Sequence, residues 1–297
     1  MKKRALLLLA TLSLYSEEIR YGHGTMDFSG GFLGLNKTIS ESVDIYSIEE
    51  NHKNIFSSNV FYSFNLTLYD SKKLKQMQNI YNTGINQAVS WMPFVSGDIF
   101  VPTIDYRIKG VDASISIGYD LIHKSENSYF GVAPYLGINL PTISSSSDNS
   151  FVSIPDNIDT SVLKDFYKAS DTDITTFKLG ASFYSSYEIK KSISIYLNGA
   201  YAYQTGSIAN SYINSDFSVD GTYSSLDAGL KFSPLDKDYK LLGITLSPRL
   251  YMTLGAKYDK WDIDDVALDI SGLNLKTPKS TMSIENKSAY FGVGYSF

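Results

Sequence analysis

Ala289-Tyr290-Phe291-Gly292-Val293-Gly294-Tyr295-Ser296-Phe297 closes the chain, and its period of two decides the fold. Ala289, Phe291, Val293, Tyr295 and Phe297 fall on one face of a strand. Tyr290, Gly292, Gly294 and Ser296 take the other. One face is apolar and aromatic, and the other is small or polar.

The same alternation recurs upstream. Val111, Ala113, Ile115, Ile117, Tyr119 and Leu121 share a face, against Asp112, Ser114, Ser116, Gly118 and Asp120. Further stripes run through Val60 to Leu68, Phe130 to Leu140, Phe177 to Phe183, Ile193 to Tyr203 and Ile244 to Leu254. Each is about 10 residues long, the length a tilted strand needs to cross hydrocarbon. The expected fold is all-β: an antiparallel transmembrane β-barrel of about 10 strands, within a range of roughly 8 to 12. Strands are expected near 25–35, 56–69, 98–108, 111–121, 128–140, 174–187, 192–204, 217–232, 242–258 and 286–297.

Composition agrees. Aromatics make up 14% of the 297 residues, with Tyr 23 against Trp 2, while mean hydropathy is only -0.11. Alternation hides an apolar face inside a neutral average, and tyrosine suits a membrane interface. A net charge of -5 argues against a nucleic-acid partner, which would need a basic face. The lack of cysteine excludes disulfides and thiolate metal sites. No cofactor is expected.

The terminal stretch resembles the closing strand of bacterial outer-membrane β-barrel proteins. That family ends in alternating aromatic or apolar residues with a terminal Phe. The resemblance implies that Phe291, Val293, Tyr295 and Phe297 form the signal read by the outer-membrane assembly machinery. It also implies surroundings of outer-membrane lipid and lipopolysaccharide in a Gram-negative cell. The other end of the chain fits export. Lys2, Lys3 and Arg4 precede the apolar run Ala5 to Leu14, and Glu17 and Glu18 follow. Residues 1–16 read as a signal peptide and 17–297 as the barrel.

Counting back from Phe297, long outer links should alternate with short periplasmic turns. Asp70 to Gly97 breaks the pattern as a long link on the periplasmic side. Within it, Leu74, Met77, Tyr81, Ile85 and Ala88 recur at helical spacing, predicting an amphipathic helix near 71–90. It would either narrow the lumen or pack on the barrel rim.

Charges opposite the lipid stripes should line the interior. Asp105, Arg107, Asp112, Asp120, Lys178 and Arg249 are the candidate constriction, with both signs represented. A salt-bridged lumen that supports folding is the plainer reading of the same residues. Outer links are expected to be acidic, including Glu41, Asp44, Glu49 and Glu50 early, and Asp259 to Asp269 late. Asp262-Ile263-Asp264-Asp265 offers hard oxygen ligands but lacks the glycine and distal Glu of a calcium loop. His52, beside Glu50 in the first expected outer link, is the one candidate base for surface hydrolysis. No nucleophile elbow, phosphate loop or dinucleotide fingerprint occurs, and no catalytic activity is expected. The sequence therefore points to a narrow porin-like channel passing small solutes, or to a closed-lumen structural or adhesin-like surface protein.

Overall fold

The computed structural model describes residues 18–32, 35–55, 59–72, 104–125, 127–147, 172–210, 215–235, 237–241, 244–270, 273–276 and 281–295. The strands are β1 (Glu18–Phe32), β2 (Leu35–Ile55), β3 (Val60–Ser71), β4 (Ile104–Ser125), β5 (Ser128–Ser147), β6 (Thr172–Lys190), β7 (Ile193–Asn210), β8 (Ser215–Phe232), β9 (Tyr239–Leu241), β10 (Ile244–Leu246), β11 (Leu250–Ile270), β12 (Leu273–Lys276) and β13 (Thr281–Tyr295). β1 to β8, β11 and β13 pair antiparallel in chain order, and β13 closes on β1. The result is a ten-stranded antiparallel barrel. β12 extends β11 as a short hairpin, and β9 pairs only with β10 in the β8–β11 link.

Ladder partners fix the barrel's geometry. From Thr142 the rung passes through Lys109, Asp70, Asp44, His23, Ala289, Ala256, Ala228, Leu197 and Ser185, and returns to β5 at Phe130. The displacement from 142 to 130 is a shear of 12 residues over ten strands. With ordinary strand rise and spacing, that shear tilts the strands by about 40°. Each residue then climbs ~2.5 Å along the barrel axis. β4, at 22 residues, spans about 50 Å, twice the ~25 Å apolar band of such barrels. The barrel therefore projects well beyond the bilayer. Links at the end that carries Glu18 and Tyr295 include the tight turns 126–127 and 191–192. This end is periplasmic, and the long links 72–103 and 148–171 lie at the outer end.

Polarity inverts along the strands at the upper edge of the band. In the lower half, lipid-facing Ile115, Ile117, Leu136, Leu179, Leu230, Leu254 and Phe291 are exposed, while Asp112, Lys178, Asp227 and Thr253 are buried inside. In the upper half Ile108, Ile143, Ile174, Val219, Trp261, Ile263 and Ile284 are buried in one inward cluster with Met26 and Phe28. Their outward neighbours there are Asp27, Arg107, Lys109, Asp173, Asp220, Lys260, Asp262 and Glu285. Below the line the wall is built for lipid, and above it for water.

This inversion explains two misplaced expectations. The apolar stripe of β4 switches from even to odd positions between Ile108 and Val111, so one strand reads as two, 98–108 and 111–121. β2 switches between Ile45 and Tyr46, so no stripe is long enough to announce it. Splitting β4 and omitting β2 cancel in the strand count. With β2 restored, the link after β3 lies at the outer end, not the periplasmic one. Glu41, Asp44, Glu49 and Glu50 belong to β2, and Asp259 to Asp269 to β11, so these are wall residues and not loops. The strand expected at 242–258 begins only at Leu250. The expected signal peptide 1–16 and Phe297 lie outside the described residues, as does nearly all of the expected helical segment 71–90.

Adjacent residues on opposite faces test the inversion. Ile108→Asp should lower unfolding stability by several kcal/mol, because an unpaired carboxylate enters the apolar cluster. Lys109→Ala should stay within about 0.5 kcal/mol. The check is the urea midpoint of the gel-mobility shift between folded and unfolded barrel.

Candidate functional site

Two ionic centres and an aromatic layer fill the lumen. The lower centre surrounds Arg20, which β1 points inward between lipid-facing Ile19 and Tyr21. Its guanidinium pairs with Glu18 at 2.6 Å, Glu49 at 2.6 Å and Asp227 at 2.8 Å. It also lies 4.6 Å from the ring centre of Tyr290 and 5.8 Å from that of Tyr196. The two tyrosine hydroxyls meet each other, Tyr290 donates to Asp227, and Thr253 donates to Glu18. Gly229 and Gly255 make this possible: a Cβ on either would sit within 2.6 Å of the Tyr196 hydroxyl.

The upper centre joins Lys178 of β6 to Asp112 of β4, both buried. The Lys178 ammonium lies 3.9 Å from the Tyr223 ring centre. The Tyr223 hydroxyl donates to Asp259 at 2.9 Å, and Lys257 lies 3.7 Å from the same carboxylate. Around Lys178, rings from four strands meet across the lumen. Tyr69 lies 6.1 Å from Trp261, Trp261 lies 5.6 Å from Tyr223, and Tyr223 stacks on Tyr135 at 5.8 Å. All four rings are at most 4% exposed. Two small cavities adjoin these groups: one of about 60 Å³ beside Asn65, Tyr223 and Lys257, and one of about 70 Å³ beside Arg20, Tyr251 and Thr253. Glu49 and Asn198 line both. Each has room for a few waters.

The predicted constriction is thus only partly assembled. Asp112 and Lys178 do meet inside the barrel. Asp120 is also inside, but near the periplasmic end of β4, where its carboxylate lies 3.4 Å from Nδ1 of His123. Arg107 points outward and forms an exposed pair with Asp70, because the inward positions of β4 are the even ones. Asp105 stands in the outer end of β4, and its side chain is outside the described residues. Arg249 is exposed in the turn before β11, away from the lumen. His52 pairs by backbone with Tyr62 near the periplasmic end, so it does not sit in an outer loop. Asp262 instead pairs with Lys260 at 2.8 Å on the outer wall.

Glu18, Arg20, Glu49, Lys257 and Asp259 went unrecognised as interior groups. Arg20 was legible in principle: Ile19 and Tyr21 flank it with lipid-facing residues. Glu49 and Asp259 were not, because their strands change phase or extend beyond the apolar stripe.

No protein-family model and no curated protein matches the chain. Among solved structures it is similar to the outer membrane protease OmpT from Escherichia coli. The TM-score is 0.52 and the identity 9%, with 95% of this chain and 97% of that chain covered. The toluene transporter TodX of Pseudomonas putida aligns at TM-score 0.33 and 10% identity, covering 97% of this chain and 92% of that one. Ail, the attachment invasion locus protein of Yersinia pestis, aligns at 0.27 and 11%, covering 93% and 99%. The likeness to the first of these shows the fold, a closed antiparallel barrel of ten strands.

Removing Arg20 would leave Glu18, Glu49 and Asp227 crowded together without their shared counter-charge. Arg20→Met should therefore destabilise the folded barrel by about 3–5 kcal/mol. Adding Glu18→Gln and Asp227→Asn to Arg20→Met should recover much of that loss. Urea titration of the three proteins in the same detergent checks both expectations.

Proposed function

We propose that this protein is a closed-lumen outer-membrane barrel acting as a surface-interaction module, with its stiff, projecting wall as a pedestal. The observation that carries this reading is the aromatic layer of Tyr69, Tyr135, Tyr223 and Trp261, drawn from β3, β5, β8 and β11. Rings packed from several sides of the wall leave no wide aqueous path, and the apolar cluster thickens the barrier towards the outside. What the barrel offers the exterior is its outer wall and the outer ends of β3 and β5, from which the links 72–103 and 148–171 leave. The second link carries Asp148, Asp156, Asp159, Asp165 and Asp171 against Lys164 and Lys168. That balance suits a positively charged partner at the second link, whereas the first carries Lys72, Lys73 and Lys75 against Asp98. The reading is non-enzymatic and uses no cofactor. Its other partners are outer-membrane lipid and lipopolysaccharide around the apolar band, and the assembly machinery at the closing strand.

The polar chambers beneath the aromatic layer favour the second reading, a porin-like channel for small solutes. Glu49 and Asn198, shared by both chambers, connect the periplasmic centre to the underside of the aromatic layer.

Conductance in a planar bilayer separates the two. The unmodified protein should give no discrete steps. A barrel carrying Tyr223→Ala and Trp261→Ala should give measurable steps if it remains folded by gel mobility. Reproducible steps from the unmodified protein would contradict the closed-lumen reading and restore the channel.

A further inference from the structure

The apolar band is not equally tall around the barrel. On β5 its outward residues run from Phe130 to Leu140, and Thr142 ends it. At about 2.5 Å per residue this is ~25 Å, a full hydrocarbon thickness. On β2 the outward carboxylates Asp44 and Glu50 enclose only Tyr46 and Ile48. Six residues separate those carboxylates, or ~15 Å along the axis.

The shear gives the heights on a common scale. Four of the ten steps separate β1 from β5, so the level of His23 lies about five residues below Thr142, its rung partner on β5. That level falls between Leu136 and Ile138, well inside the band. Yet the outward groups at or above this level on β13, β1 and β2 are polar: Lys287, Glu285, His23, Thr25, Asp27, Ser42 and Asp44. They are built into a network. His23 Nδ1 lies 2.8 Å from Asp44, and Tyr21 donates to Asp44 at 3.2 Å. The Lys287 ammonium is 2.7 Å from Asp27 and 3.1 Å from Glu285. The side chains of His23 and Lys287 are 55% and 51% exposed. Charged groups facing hydrocarbon are costly at depth and nearly free at the interface. Tyr21 and Tyr46, with ring centres 5.2 Å apart, lie just below the network, where an aromatic girdle belongs.

We propose that the β13–β1–β2 sector is a lipid-headgroup docking surface, at which the outer leaflet is thinned and headgroups descend to His23 and Lys287. A short apolar stretch is accommodated by thinning the bilayer or by covering the stretch with protein. The observations favour thinning. The His23 imidazole and the Lys287 ammonium stay half exposed, open to water and lipid phosphates, whereas an apolar protein face would strip them of hydration at a cost. The residues below it remain a regular lipid-facing stripe of Ile19, Tyr21, Ala289, Phe291 and Val293.

The chain has no cysteine, so single cysteines report cleanly. Thr25→Cys and Leu140→Cys stand at nearly the same height on opposite parts of the wall. Each would carry an environment-sensitive fluorophore in dimyristoylphosphatidylcholine vesicles, with folding checked by gel mobility. Nitroxide lipids spin-labelled at the headgroup or mid-chain serve as quenchers. The proposal expects the probe at 25 to be quenched several-fold more by the headgroup nitroxide than by the mid-chain one, and the probe at 140 to show the reverse. Adding His23→Leu and Asp44→Leu to Thr25→Cys should move the probe at 25 towards the mid-chain response. Equal responses at the two positions would overturn the proposal. So would a probe at 25 shielded from both quenchers, which would mean that a second copy or another protein covers the sector.

Discussion

Every strand of this barrel separates two media, and the media change partway along. Within the bilayer the outside is hydrocarbon and the inside is polar. Beyond it the outside is water, and the inside must supply the cohesion. Side-chain direction alternates with a fixed period of two and cannot change without a bulge. The chain therefore changes residue type instead. On β4, Ile108 and Asp112 face the same interior, yet one belongs to an apolar cluster and the other to an ion pair. On β11 the same exchange separates Trp261 from Thr253.

The exchange has a consequence for the interior charges. Arg20, Lys178 and Lys257 lie in a lumen narrow enough for their counter-charges to come from distant strands. Asp227 reaches Arg20 from β8, and Asp112 reaches Lys178 from β4. Such pairs contribute little net stability, but they penalise any register that separates them. The ionic centres thus disfavour slipped registers, while the aromatic rings around Lys178 supply burial. A filled interior of this kind favours a protein that acts through its surface.

The fold was legible where one medium governs a whole strand. The stripes of β5, β6 and β7 lie largely inside the band, and their sequence positions match the structure closely. Legibility failed where a strand crosses the inversion. β4 read as two strands and β2 as a loop, since alternation counting assumes that the apolar face stays put. The site suffered for the same reason. Asp112 and Lys178 were found because lipid-facing residues flank them on both sides. Arg107 points outward beside apolar Ile108 because above the inversion the apolar residue is the inward one. The contacts between Arg20 and Asp227, or between Tyr69 and Trp261, depend on closure and shear, which no local pattern encodes.

The inversion itself is most directly tested by a cysteine scan along β4. Single cysteines at 107, 109, 111, 113, 115, 117 and 119 would be exposed on intact cells to a membrane-impermeant thiol reagent. The account predicts labelling at 107 and 109 and protection from 111 onwards, with the step at the change of phase. Protection extending through 107 and 109, or labelling that continues to 115, would contradict it. The first result would put the upper half of the wall in hydrocarbon, and the second would put the lower half in water.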